Sequence, residues 1–208
     1  MTTTNSHIIS IYNSRTILLD ILEERGFNID DYKNFSISEI GILLESNQLD
    51  MLMEDNNKKK IYVKYYVTKV LKAQNIYSFI EDLIHLENIL TKNDDLMIII
   101  KDEPNDTLIQ TIKDIYMEEN IYVALVNIKR LQYNILKHEL VPKHTVLTNE
   151  EADAMRKKYN ILHDSQIPDI SYFSPISIIL GIRPNNIVKI ERNSRTAIKT
   201  DFYRICKI

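Results

Sequence analysis

The sequence predicts an α/β N-terminal domain over residues 1–137 followed by a small α+β domain over residues 138–208. Three observations predict it. An alternating run at 61–67 is followed by two short, wholly apolar runs at 96–100 and 121–128, with segments of helical period between them. Helix-start signatures recur at Ser36, Pro104-Asn105-Asp106, Thr148 and Ser174-Pro175. The pattern then changes near Leu136, and the boundary falls between 136 and 142.

The first helix carries Ile8, Ile11, Tyr12, Arg15, Leu18, Leu19 and Leu22 at three- and four-residue spacing. Asn5 or Ser6 is its expected cap and Gly26 its stop. Ser36 and Glu39 have capping-box spacing ahead of Ile40, Leu43 and Leu44, so a second short helix follows. Residues 54–60 are polar and read as a loop. Ile61, Val63, Tyr65 and Val67 then alternate with polar positions, as in a half-buried strand. Ile76, Phe79, Ile80, Leu83, Ile84 and Leu90 form the next helical stripe, and Leu108, Ile112 and Ile115 the one after Asn105. Strand, helix, strand, helix, strand implies parallel pairing, with the first helix covering part of the sheet.

In the second part, Pro142 biases Val141 away from helix, so Leu140-Val141-Pro142 reads as extended. Thr148 and Glu151 form a capping box, with Ala152, Met155 and Tyr159 as the inner stripe of the helix they open. Pro175 at a first helical position and Gly181 after Leu180 bracket another short helix. Residues 187–192 and 202–207 read as closing strands.

Composition excludes several chemistries. With 44% apolar and 26% charged residues the chain is globular rather than disordered. No apolar run approaches the ~18 residues of a membrane span, and the first ten residues lack a secretory signal. Cys206 is the single cysteine, which points to a reducing compartment. Three glycines leave no phosphate-cradling loop. The net charge of −3 divides unevenly: residues 139–208 hold 11 Lys/Arg against 8 Asp/Glu, a surplus of 3, and the remainder carries −6. Neither part is a strong stand-alone binder of nucleic acid.

A Mg²⁺-dependent, restriction-type nuclease is the alternative from another class. It needs acids and a lysine converging beside a phosphate, and the nearest candidates are Asp94, Asp95 and Lys129. The residue two before Lys129 is Asn127, which brings no negative charge to a metal. His7, His85, His138, His144 and His163 with one cysteine supply no zinc site of the usual spacing. Lys58-Lys59-Lys60 could meet phosphate, and Tyr62, Tyr65 and Tyr66 could stack on bases, but a solvated loop and strand packing are the ordinary readings. No catalytic residue, cofactor or metal is expected.

Residues 138–144 read His-Glu-Leu-Val-Pro-Lys-His. This resembles the segment that opens the C-terminal domain of the fifth common subunit of eukaryotic DNA-directed RNA polymerases, a family whose archaeal members consist essentially of that domain. The likeness continues through Thr148–Tyr159, Ser165-Gln166-Ile167-Pro168, Ser174-Pro175, Leu180-Gly181-Ile182-Arg183, Val188-Lys189-Ile190 with Arg192, and Tyr203-Arg204-Ile205-Cys206. Ser14-Arg15-Thr16 and Glu24-Arg25-Gly26-Phe27 resemble the family's first helix. The chain departs from the family at Asp169, where a basic residue is usual, at Arg195, which reverses a charge, and at Ile198, which replaces a glycine suited to positive φ.

The resemblance implies a non-catalytic subunit of a multisubunit polymerase. Its N-terminal part would be a three-layer, restriction-endonuclease-like jaw core without an active site, near downstream duplex DNA. Its C-terminal part would dock on the largest subunit and meet other subunits. The interface residues implied are His138, Glu139, Leu140, Val141, Pro142, Lys143, His144, Gly181, Arg183, Lys189, Arg192 and Arg204. The two-part layout is similar to eukaryotic rather than archaeal members. Divergence and the abundance of Ile, Asn and Lys suit a large DNA virus as source, which would place the protein in host cytoplasm or virion; a cellular version would act in the nucleus. No membrane partner is implied.

Overall fold

A computed structural model describes residues 2–194 and 196–208, with side chains from residue 6 onward. The chain divides into two compact units, residues 1–134 and 135–208. Each holds one four-stranded sheet.

In the first unit, helix α1 (Thr2–Glu24) buries Ile11, Leu18, Leu19, Ile21 and Leu22. Each such fully buried aliphatic contributes about 2 kcal/mol. The helix begins earlier than its expected cap, so Asn5 and Ser6 lie inside it. No Pro or Gly upstream interrupts the winding. It stops at Glu24, two residues before Gly26, whose φ of 94° no side chain adopts comfortably. Helix α2 (Ile37–Glu45) starts at the Ser36–Glu39 capping box, with Ser36 Oγ accepting from Glu39 N–H and the Glu39 carboxylate accepting from Ser36 N–H.

The sheet of this unit runs β1 (Met51–Glu54), β2 (Lys60–Tyr66), β3 (Asp95–Ile100), β4 (Tyr122–Asn127) in spatial order. β1 and β2 are antiparallel, and β2, β3 and β4 are parallel. Every residue of β3 and β4 is buried, as expected of central parallel strands covered on both faces. β1 was not legible: Met-Leu-Met-Glu is short and lacks the β-branched residues that mark strands. It makes residues 54–60 a hairpin end, with Glu54 paired to Lys60 and the turn between them, rather than an open loop. Of the crossovers, α4 (Asp106–Glu119) starts at Asn105, whose side chain accepts from Leu108 N–H, and buries Leu108, Ile112 and Ile115. The stripe expected over 76–90 is instead α3 (Ala73–Ile80) continued by a wider π turn over Glu81–Leu86. The π winding shifts the phase, so Leu83 stays buried while Leu86 is exposed. Leu90 reaches the core from beyond Asn88, which turns the chain at φ 52°.

The sheet is covered on both faces. Ser14 of α1 lies 3.5 Å from the Tyr65 hydroxyl on one face, and Phe79 of α3 meets Tyr66 edge-on at 5.6 Å on the other. The acids at the start of β3 close the structure. Asp95, 1% exposed, accepts from Arg25, the residue after α1, at 3.0 Å and from Lys59 of the β1–β2 turn at 2.9 Å. Asp94 accepts from the Lys60 backbone and from both the backbone and hydroxyl of Thr91.

The second unit has the sheet order β5 (Lys143–Val146), β7 (Ile187–Ser194), β8 (Ile198–Lys207), β6 (Asp169–Ser171). Two of these strands, β5 and β6, are too short to be read from periodicity. Leu140 and Val141 are not extended: Val141 N–H closes a turn onto the His138 carbonyl, and the strand begins only after Pro142. Helix α5 (Asn149–Lys158) starts at the Thr148–Glu151 capping box. Its Ala152 and Met155 pack with Ile167, Ile187 and Ile205. Tyr159 is not an inner residue; it caps the helix, half exposed, against Tyr203 at 5.6 Å. Helix α6 (Pro175–Leu180) begins at Ser174 with Pro175 first and ends at Gly181 in the left-handed conformation, φ 66°.

Six asparagines (Asn34, Asn47, Asn88, Asn120, Asn160 and Asn185) hold positive φ. In a chain with three glycines, asparagine takes over the left-handed turn positions. Ile198 also sits at positive φ, 61°, so the backbone keeps the glycine-type conformation although its side chain is β-branched. Arg195 lies outside the described residues. Replacing Ile198 with glycine should therefore stabilise the protein by about 1 kcal/mol, read as a higher urea midpoint at unchanged m-value. Asp95→Ala leaves two cations without their shared carboxylate and should cost about 3 kcal/mol in the same measurement.

Candidate subunit interface

The strand alternation of the second unit decides which candidate residues share a face. Register places His144 opposite Ile190 and Ile190 opposite Phe202, a row across β5, β7 and β8. Arg192 and Arg204 project from the same face, two residue pairs to either side of that row. Their guanidinium carbons stand 4.5 Å and 5.5 Å from the centre of the Phe202 ring. Arg204 Nη1 also donates to the Asp169 carbonyl at 2.8 Å. Ile190 is buried beneath this group, while Phe202, Arg204 and His144 are half buried and Arg192 is exposed. Ring, two cations and imidazole thus form one surface patch on a fixed sheet.

The Nδ1 of His144 is 2.6 Å from the Pro142 carbonyl, which a neutral ring with Nδ1–H satisfies. Partial burial lowers its pKa below the usual histidine value, and the positive charges of Arg192 and Arg204 push the same way against the opposing Pro142 bond.

The remaining candidates do not join this patch. Lys189 lies on the opposite face, the face packed against α5, where it pairs with Asp201 at 3.1 Å and Glu191 at 3.7 Å. Those carboxylates raise its pKa. His138, Glu139 and Leu140 form the exposed turn before β5, with Leu140 83% exposed and its N–H donated to His138 Nδ1. Val141 and Pro142 are half buried, and Lys143 is exposed. Gly181 is the left-handed cap of α6, and Arg183 is half buried in the turn after it, its carbonyl accepting from Asn186 N–H. Phe202 was missed. Its signal was present, since a turn near 196 places residue 202 beside 190 and between 192 and 204 on one face.

A family description, RNA polymerase Rpb5, C-terminal domain, matches residues 133–206. Over 74 residues the chain is 39% identical to the DNA-directed RNA polymerase subunit Rpo5 of Thermococcus kodakarensis, which takes in 36% of this chain and 89% of that protein. The chain belongs to the RNA polymerase subunit 5 family. Similarity also extends to the first unit: over 192 residues the chain is 26% identical to the DNA-directed RNA polymerases I, II, and III subunit rpabc1 of Dictyostelium discoideum, 92% of this chain and 94% of that protein. A subunit 5A of DNA-directed RNA polymerase V from Arabidopsis thaliana is 25% identical over 186 residues.

For this subunit 5 relative, the departures noted in the sequence have local accounts. Asp169 pairs with Lys207 at 2.8 Å across the β6–β8 ladder, so the acid is matched by a cation of its own sheet. Cys206 is fully buried, its thiol directed at the Ile182 carbonyl at 3.8 Å, and burial pushes its pKa up to about 12. That is a packed side chain, far from a reactive thiolate.

The nuclease candidates do not converge. Asp95 pairs with Tyr122 at the start of the parallel β3–β4 ladder, whereas Asn127 pairs with Ile100 at its far end. Five residues of strand separate them, roughly 16 Å, and Lys129 follows Asn127 in a turn capped by the Asn127 side chain. The lysine run and the tyrosines also face inward in part: Lys59 binds Asp95, Tyr62 donates to Asp50, and Tyr65 is buried enough to raise its phenol pKa to about 12. Among the described residues no helix is long and apolar enough to cross a membrane.

The depressed pKa of His144 predicts a pH dependence. As pH falls, the unfolded chain takes up this proton near 6.5, before the folded chain does. The stabilisation is therefore complete above that value and is lost as pH drops through it. The His144→Gln variant should show a shallower loss of stability between pH 7 and pH 5 than the parent chain, and a ¹H–¹⁵N titration should place the His144 midpoint below that of a free imidazole.

Proposed function

We propose that this chain is a non-catalytic subunit of a multisubunit DNA-directed RNA polymerase. The observation that carries the reading is collinear similarity over 92% of the chain to a protein named as a subunit of polymerases I, II and III. Residues 138–208 act as the module that docks on the largest subunit, and neighbouring polymerase subunits complete its surroundings. The archaeal relatives support this division, since a 74-residue match accounts for 89% of such a protein. The segment His138–His144, the α6 cap at Gly181 and Arg183, and the patch of Arg192 and Arg204 form the docking surface, and Lys189 belongs to its reverse side.

Residues 1–137 form a jaw-type domain beside downstream duplex DNA, with a restriction-endonuclease-like core that has no active site. The parallel β2–β3–β4 arrangement with helices on both faces supports the architecture. The absence of chemistry is supported by the commitment of Asp94 and Asp95 to hydrogen bonds and ion pairs inside the fold. The protein acts wherever its polymerase transcribes: the nucleus for a cellular version, host cytoplasm or virion for a viral one.

Affinity purification of the tagged full-length chain from its native source, followed by mass spectrometry, tests the reading. The largest polymerase subunit should co-purify at about one copy per copy of this chain. Recovery of the chain without any polymerase subunit would overturn it.

A further inference from the structure

We infer that the Arg192–Phe202–Arg204 patch receives an acidic peptide segment of the polymerase, carboxylates meeting the two guanidiniums. This deepens the docking role proposed above and rests on it. The guanidiniums lie 4.5 Å and 5.5 Å from the Phe202 ring centre, so the ring is already engaged by cations and offers little open face on which a nucleobase could stack. What the patch presents outward is N–H donors. Arg192 is exposed and pairs with no carboxylate among the described residues, and Arg204 commits one nitrogen to the Asp169 carbonyl. Stacking on a ring held by a β-sheet fixes both forks before a partner arrives, which suits planar, bidentate recognition of carboxylates.

His144 beside them brings no negative charge to the patch. The acids of the hairpin, Glu191 and Asp201, lie on the other face with Lys189, so this face is locally positive. A nucleic-acid duplex is the poorer fit. Tight duplex binding draws on roughly six to ten phosphate contacts, and this part of the chain has a surplus of only 3 positive charges.

The test uses the full chain assembled with its polymerase, with the photo-crosslinking residue p-benzoylphenylalanine in place of Phe202. A cross-link to a polymerase peptide holding at least two Asp or Glu within a few residues supports the inference. In parallel, Arg192→Glu and the double change Arg192→Gln with Arg204→Gln should weaken assembly about tenfold or more, increasingly so at low salt. Lys199→Glu, the same charge reversal on the opposite face of the hairpin, should leave assembly within about twofold. Unfolding midpoints of the free variants separate lost docking from lost folding. Cross-links to nucleic acid, cross-links to a peptide without acids, or unchanged assembly of Arg192→Glu would each overturn the inference and leave the docking role standing. Failure of the unaltered chain to assemble would overturn both.

Discussion

The pairing of β7 with β8 is the constraint on which the second unit depends. It runs over eight residue pairs, from Ile187–Ile205 to Ser194–Ile198. Only its inner part is flanked, by β5 against residues 188–191 and by β6 against residues 205–207. Where the ribbon is flanked, both faces are filled: Ile187 and Ile205 against α5, Val188, Ile190 and Cys206 on the other side. Beyond it, the ribbon continues as two strands with exposed side chains. A two-stranded ribbon is marginal in water by itself, so the buried inner half holds the outer half in register. A slip of either strand by a single residue would turn that strand's side chains over and put Arg192 and Arg204 on opposite faces.

A different device closes the first unit. Burying Asp95 at 1% exposure would be costly for a lone carboxylate. Here the turn that ends α1, through Arg25, and the β1–β2 turn, through Lys59, converge on the same oxygen. Asp94 next to it satisfies the turn before β3. A pair of acids at a strand end is the pattern that suggested metal chemistry in the sequence. The structure assigns them instead to joining elements far apart in the chain, at separations of 70 and 36 residues.

Much of this was readable from the sequence, and the limits have physical causes. Central strands and capped helices were legible because their signals are local: alternation at Ile61, Val63 and Val67, apolar runs at 96–100 and 121–128, and capping boxes at Ser36 and Thr148. Edge elements were not. β1, β5 and β6 have four, four and three residues, too few for a period to emerge, and their extended form comes from the neighbouring strand. The π turn after Ile80 was also invisible, because Leu83 and Leu90 satisfy the same core by a different winding. In the second unit, residue type singles out Arg192, Arg204, His144 and Lys189 alike; only register shows that Lys189 faces the other side of the sheet and that Phe202 lies among the other three.

Ile198 shows how strongly the ribbon dictates its own turn. A β-branched residue avoids the left-handed region, and its side chain, 83% exposed, gains little from packing. Eight cross-strand pairs nevertheless fix where the chain must reverse, so the backbone enters that region with whichever residue stands there. The strain is local and the hairpin's direction is preserved. Because the direction of the hairpin sets the positions of Arg192 and Phe202, the patch geometry is insulated from substitution at the turn. The same logic explains why a chain nearly devoid of glycine keeps its turns: the strands and helices choose the reversal points, and asparagine supplies most of the residues that can occupy them.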